Sequence, residues 1–394
     1  MDTPLWIWAA TIAAILALLA FDYFFHVRQA HTPTLKEAAF WSAIYVGIAI
    51  LFGFGVLLFG GGTMGAEYFA GYITEKALSV DNLFVFLVIM ASFKVPRADQ
   101  QKVLLFGITF ALIARTVFIL IGAAAINAAA WVFYIFGAIL IFTAINLVRP
   151  GHNDKDEADN IIIRLARRFL HTSQHYDGDK LFTVENGKRV LTPMLLVMVA
   201  IGGTDILFAL DSVPAIFGLT TNTYLVFTAT AFSLLGLRQL YFLIDGLLDR
   251  LIYLAYGLAA ILAFIGVKLF LHALHENNLP FINGGEHVEV YEIPTNLSLL
   301  VIVGILTVTV VLSLLSPKGR AINDIRNAHR MAEHYLDADY ESDPQLREEN
   351  YNKLLRAEKN IKALPAQYKK LIDEERGVFE SIDAAHAQHD KATR

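Results

Sequence analysis

Apolar stretches close to the roughly 20 residues that a helix needs to cross a bilayer recur from residue 5 to residue 316, and polar residues gather between them. The pattern predicts nine spanning helices, at about 5–25, 38–60, 67–93, 102–124, 130–148, 193–218, 223–244, 252–272 and 296–316. The first run has no basic segment ahead of it and is long enough to span, so it reads as a helix rather than a cleavable leader. After residue 316 the pattern changes. Charges alternate at helical spacing through EENYNKLLRAEKNIKAL (348–364) and AQYKKLIDEERGVFESI (366–382), which predicts one or two helices outside the membrane.

Within the apolar body, three features occur twice in the same order. EKALSVDN (75–82) and DILFALDS (205–212) each have a carboxylate, five residues, an aspartate and a small polar residue. Each is followed by a helix with an intramembrane arginine, in ARTVFILIG (Arg115) and LRQLYFLIDG (Arg238). Next come YIFGAILIFTAI and YLAYGLAAILAF, each with a glycine after an aromatic residue. Apolar composition alone does not explain matched charges. Each unit has three helices, an odd number, so the second must enter the membrane from the opposite side. This is an inverted-topology pair, a plan on which transporters place a site at the repeat interface.

The expected fold class is therefore an all-α polytopic membrane protein with about nine transmembrane helices. Its parts are the first two helices (1–66), a three-helix repeat (67–148), a linker (149–192), a second three-helix repeat (193–272), a loop (273–295), a last helix (296–316) and a helical tail (317–394).

Composition sharpens this. The chain is 56% hydrophobic and only 18% charged, which excludes an ordinary soluble protein. It has no cysteine, so disulfides and thiolate metal sites are excluded too. The net charge of −5 averages two unlike parts. Lysine and arginine fall in alternate connections: Arg28 and Lys36; Lys94, Arg97 and Lys102; Arg149 to Arg189; Arg250; Lys318 and Arg320. The intervening connections GGGTMGA, AAINAAAW, GLTTNTY and 272–294 have none. By the positive-inside rule the basic set is cytoplasmic, so the N-terminus lies outside and the C-terminus inside. The expected location is a bacterial inner membrane.

Glu75, Lys76, Asp81, Asp205, Asp211, Arg115 and Arg238 fall inside apolar spans. A charge at a helix centre costs roughly 2.5–3.5 kcal/mol on insertion scales, so these groups must be paired, protonated or hydrated. Lys76, Arg115 and Arg238 serve as counter-charges, and a divalent cation would neutralise the remainder. The two acid pairs sit at matching depths, each spanning roughly 9 Å along its helix. One geometric problem stands: acids six residues apart on an intact helix point some 120° apart. Sharing one ion would require a local break, and Gly202, Gly203 and Pro214 surround the second motif. The alternative for all these charges is a set of salt bridges holding the bundle.

The available donors are oxygens only: the four carboxylates, Ser79, Asn82, Thr204, Ser212 and backbone. Such a set suits hard ions, Mn²⁺, Ca²⁺ or Mg²⁺. An intramembrane aspartyl protease lacks its expected Gly-x-Gly-Asp and Pro-Ala-Leu contexts here.

EYFAGYITEKALSVDNLFVF (67–86) together with TDILFALDSVPAIFGLT (204–220) resembles the TerC family of integral membrane proteins, Alx-type members included. The resemblance covers roughly residues 35–320. It implies manganese export by a pair of three-helix inverted repeats, with metal-binding roles for Glu75, Asp81, Asp205 and Asp211, Asn82 and Ser212 beside them, and Lys76 as counter-charge. The charged tail departs from the family pattern. The function expected is a divalent metal exporter, Mn²⁺ the first candidate substrate and Ca²⁺ or Mg²⁺ the alternatives, with alternating access and proton exchange at the carboxylates. The alternatives are a metal-binding scaffold or assembly factor, and an amino-acid exporter. The expected partners are the metal ion and the lipid bilayer, with the tail available for self-association or a cytoplasmic protein. Nothing points to nucleic acid, an organic cofactor or enzymatic chemistry.

Two polar segments carry further candidates. In the linker, EADNIIIRLARRFLHT (157–172) reads as a basic amphipathic helix, KLFTVENGKRVLT (180–192) as a hairpin turned at Asn186-Gly187, and His171, His175, Asp177 and Asp179 as solvated residues with a weaker claim to metal. In the outer segment before the last span, His272, His275, Glu276, Glu286, His287 and Glu289 read as an exposed acidic hairpin, with a weak metal-release vestibule as the alternative. Glu67, at the outer end of its span, reads equally as interfacial or functional, and Lys268, near the outer end of its own, as a side chain that snorkels to the interface.

Overall fold

The computed structural model describes residues 3–27, 34–93, 95–149, 173, 180–185, 188–244, 251–277, 279–280, 282–336, 344–365, 367–370 and 377–392. Helix α1 (Leu5–Asp22) continues into a π-helical turn, Tyr23–Val27. The run Leu35–Ser92 bends at Gly61, where φ is 88° and ψ 174°, a conformation essentially reserved for glycine. It supplies α2 (35–60) and α3 (62–92). The connection expected across 60–66 thus shrinks to one residue, because the glycine alone reverses the backbone. Next come α4 (Arg97–Ala128), α5 (Val132–Val148), the hairpin β1 (Phe182–Glu185) and β2 (Lys188–Leu191), and α6 (Pro193–Phe217). Then follow α7 (Thr223–Leu234), α8 (Leu237–Ile244), α9 (Leu254–His275) and α10 (Thr295–Leu315). Every predicted span has its helix.

The break falls elsewhere than expected. Helix α6 is continuous through Gly202, Gly203 and Pro214. Gly202 serves close packing, since a Cβ there would lie 3.0 Å from the ring of Phe110 on α4. The seventh span is the one that breaks. Leu235 is extended and Gly236 takes φ +77°, dividing α7 from α8 in mid-span.

The two sets of three helices interlock crosswise. Helix α3 lies on α7 through Tyr68, Tyr72, Tyr224 and Phe227. Helix α4 lies on α6 through Ile119, Ala123, Ala209 and Phe217, and α5 on α9 through Phe133, Leu140, Leu262 and Leu269. First on second, second on first and third on third is the reciprocal pairing that two related repeats give. Helix α7 is buried from Tyr224 to Leu234 and forms the axis of the body. Large apolar side chains point outward on α2 (Leu51, Phe54, Leu58, Phe59), α4 (Ile113, Leu120, Ile121) and α10 (Leu300, Leu312, Leu315). In water this belt would aggregate; in lipid it is the solvated face.

The hairpin forms as expected, Phe182 pairing with Leu191 and Glu185 with Lys188. The amphipathic segment 157–172, the turn 186–187 and His171, His175, Asp177 and Asp179 lie outside the described residues. The tail exceeds its expectation: α11 (Pro317–Leu336), α12 (Pro344–Lys362) and α13 (Val378–Ala392) share a core of Ile325, Ala332, Leu354, Ile361, Val378 and Ile382. Alternating charge hid an apolar face at every third or fourth position.

Candidate functional site

Helix periodicity decides which motif residues meet. Because α3 and α6 are unbroken across both motifs, the first acid shares its face with the residue seven positions on, not six. Glu75, Ser79 and Asn82 accordingly point into the core, and so do Asp205 and Ser212. Asp81 and Asp211 are only partly buried and lie on other faces. The Ser79 hydroxyl donates to Glu75 Oε1 at 3.5 Å, and the Thr204 hydroxyl is spent on the Ala200 carbonyl at 2.7 Å.

The two motif copies meet at Arg115. Its Nη1 pairs with Glu75 and its Nη2 donates to Asp205 Oδ1 at 3.2 Å, with all three side chains 0–2% exposed. With its amide oxygen turned to the guanidinium, Asn82 accepts from Nη2 at 3.1 Å and donates to the Leu78 carbonyl at 3.1 Å. Among the described residues, Glu75 Oε2, Asp205 Oδ2 and the hydroxyls of Thr74 and Ser212, all buried, have no hydrogen-bond partner. Two carboxylates therefore share one guanidinium and each keeps one unused oxygen. Among the described residues no three acids or histidines gather around a point that would hold a metal. The expected convergence of four carboxylates is replaced by a convergence of two.

The other counter-charges go elsewhere. Lys76 Nζ donates to the Ser233 carbonyl at 2.9 Å. That carbonyl is in the last turn of α7, where the break at Leu235–Gly236 leaves acceptors without helical donors. A lysine thus caps a helix end in mid-membrane. Arg238 pairs with none of the four motif acids. Its Nε and Nη2 reach both oxygens of Asp22 at 3.0 and 2.7 Å, and its Nη1 reaches Gln101. Gln239 and Tyr45 also donate to Asp22 Oδ1, at 2.7 and 3.1 Å. Sequence reasoning missed Asp22. The signal was a lone carboxylate at the end of an apolar run.

At the far end of α3, Thr220 donates to Glu67 Oε2 at 2.6 Å. His272, in the last turn of α9, has its Nδ1 2.9 Å from Oε1 of Glu292 in the loop before α10, and this hydrogen bond holds the Glu292 carboxyl below its ordinary range. His275 and His287 approach edge to face, rings 6.1 Å apart.

Comparison with known proteins decides the family. The model of the integral membrane protein TerC family matches residues 60–321, both motifs included. The chain belongs to the TerC family. An uncharacterised membrane protein of Mycobacterium tuberculosis is 56% identical over 388 residues, 98% of each chain. An uncharacterised membrane protein of Myxococcus xanthus is 37% identical over 81% of this chain and 95% of its own. A relative in Escherichia coli K12, Alx, carries the provisional description membrane-bound redox modulator and is 35% identical over 79% of this chain and 95% of its own. No solved structure matches. The family match ends at 321, so the α11–α13 bundle is an addition to the TerC body, and the match to the mycobacterial relative, over 98% of the chain, takes in the tail as well.

Proposed function

We propose that this TerC protein exports a divalent cation, Mn²⁺ first, by alternating access between its two repeats. One observation carries the reading. Glu75 and Asp205, one from each motif copy, meet in the buried core around one guanidinium, and each keeps an oxygen without a partner among the described residues. A buried carboxylate oxygen left unpaired is costly, and a transported cation would satisfy two of them at once. Asn82, Ser79 and Ser212 supply neutral oxygens on the same helix faces, and an all-oxygen set favours Mn²⁺, Mg²⁺ or Ca²⁺ over softer ions. The mid-span break at Leu235–Gly236 matches the discontinuous helices that transporters place beside their sites.

The redox description given to the relative in Escherichia coli marks a second reading. In this chain it could not run through thiol chemistry, because there is no cysteine. A scaffold that binds metal without moving it is the third. Proteoliposomes holding the full chain separate them: Mn²⁺ flux is expected from the wild type and none from Glu75→Gln. Absence of flux for Mn²⁺, Mg²⁺ and Ca²⁺ alike would overturn the transport reading.

A further inference from the structure

Four ionic side chains line the meeting of the repeats: Glu75 and Asp205, and against them Arg115 and Lys76. Their formal charges cancel. Arg115 bridges the two acids directly, and Lys76, next to Glu75 in the chain, holds its ammonium on the carbonyl end of α7. This group is neutral as it stands, so adding a divalent ion to it unchanged would bury two surplus charges. Surplus charge at that depth is strongly disfavoured. Yet the acids have unused oxygens, and the carbonyl end of α7 offers Lys76 a seat that does not depend on Glu75.

We infer that Arg115 is a tethered stand-in for the transported cation: it holds the two acids in the empty carrier and withdraws from them when the ion binds, while Lys76, seated on the carbonyl end of α7, supplies the second positive charge of the empty group. The inference rests on the transport reading above and names what the site does when empty. Arg115 competes with the substrate for Glu75 and Asp205, so it weakens apparent affinity by the fraction of carriers in which it is engaged. In exchange, the empty carrier crosses between its two states without an uncompensated carboxylate in the bilayer. The guanidinium is therefore a positioning residue for the return step, not a ligand.

The test separates return from binding. Full-length protein in liposomes is assayed with Mn²⁺ in two ways: net flux down a gradient, which requires the empty carrier to return, and exchange of labelled for unlabelled Mn²⁺, which does not. For Arg115→Gln, exchange is expected within about threefold of wild type while net flux falls by at least about tenfold, within the roughly hundredfold that an uncompensated mid-membrane charge allows. Arg115→Lys, which keeps the charge, is expected to recover most of the net flux. Lys76→Gln is expected to show the same split, and carries the test if Arg115→Gln does not fold. Equal loss of exchange and net flux in these variants, with no rescue by lysine, overturns the inference and leaves the transport reading standing. A wild type that neither exchanges nor releases Mn²⁺ fails the reading itself and the inference with it.

Discussion

Asp22 grips Arg238 with both carboxylate oxygens, Oδ1 accepting from Nη2 at 2.7 Å and Oδ2 from Nε at 3.0 Å. This fork joins α1, which lies outside the repeats, to the second repeat, and Gln101 brings in the first. Arg238 matches Arg115 in sequence frame but not in partner. The repeats are thus alike in helices and unlike in charge pairing. One arginine sits between the two motif acids; the other is fixed to a helix outside both repeats.

Removing Asp22 should be expensive. Asp22→Ala leaves Arg238 charged and buried without its partner, and breaking such a pair costs about 3–5 kcal/mol. A marked fall in the thermal midpoint of the full chain in detergent is expected, with part of the loss recovered in Asp22→Leu/Arg238→Met. An unchanged midpoint in the single variant would show that the fork holds nothing.

Gly236 is a second weak point. Its φ of +77° disfavours any side chain, and a Cβ would lie 2.6 Å from Cβ of Tyr45. Gly236→Ala should therefore cost about 1–3 kcal/mol from backbone strain alone, with the Tyr45 contact added. Gly55→Ala is the control, since nothing lies within 4 Å of its Cβ position. Thermal unfolding of the two variants side by side checks the difference.

The nine spans, the hairpin and the meeting of two motifs were legible because each follows from periodicity or from the cost of charge in lipid. Three things were not. Proline and paired glycines marked α6 as the broken helix, but Gly202 answers to the ring of Phe110 and α6 runs straight through Pro214. The true break at Gly236 has no proline to announce it. Arg115 was expected beside the site and stands inside it, because only the fold reveals that one guanidinium reaches both repeats. Asp22 was passed over, since a single acid near a span end looks interfacial until its arginine is known.

The tail bundle gives a pH prediction. Lys362 donates to Glu358 at 2.6 Å and His386 Nε2 lies 3.0 Å away on its other oxygen. These hydrogen bonds, that from Lys362 first, lower the Glu358 carboxyl below its usual 4.5. A carboxylate whose folded pKa is depressed adds stability above its unfolded value, and that stability is lost as pH falls through the folded one. Protection of α12 and α13 amides against hydrogen exchange in the full chain should hold above about pH 5 and weaken below about pH 4, after correction for intrinsic exchange. Glu358→Gln should flatten that dependence. The same fall in protection in the variant would assign the effect to other groups.

The order of loss among the four motif acids tests the helix geometry. On unbroken helices Glu75 and Asp205 face the core and Asp81 and Asp211 do not, so the members of each pair should not be equivalent. Glu75→Gln and Asp205→Asn are expected to reduce Mn²⁺ flux in proteoliposomes to background. Asp81→Asn and Asp211→Asn should lower it by no more than about tenfold, the lower end of the effect of groups that act from outside a ligand shell. The reverse order would mean that one helix unwinds during transport and turns its aspartate inward, and the continuous α3 and α6 seen here would then represent only one of the working states.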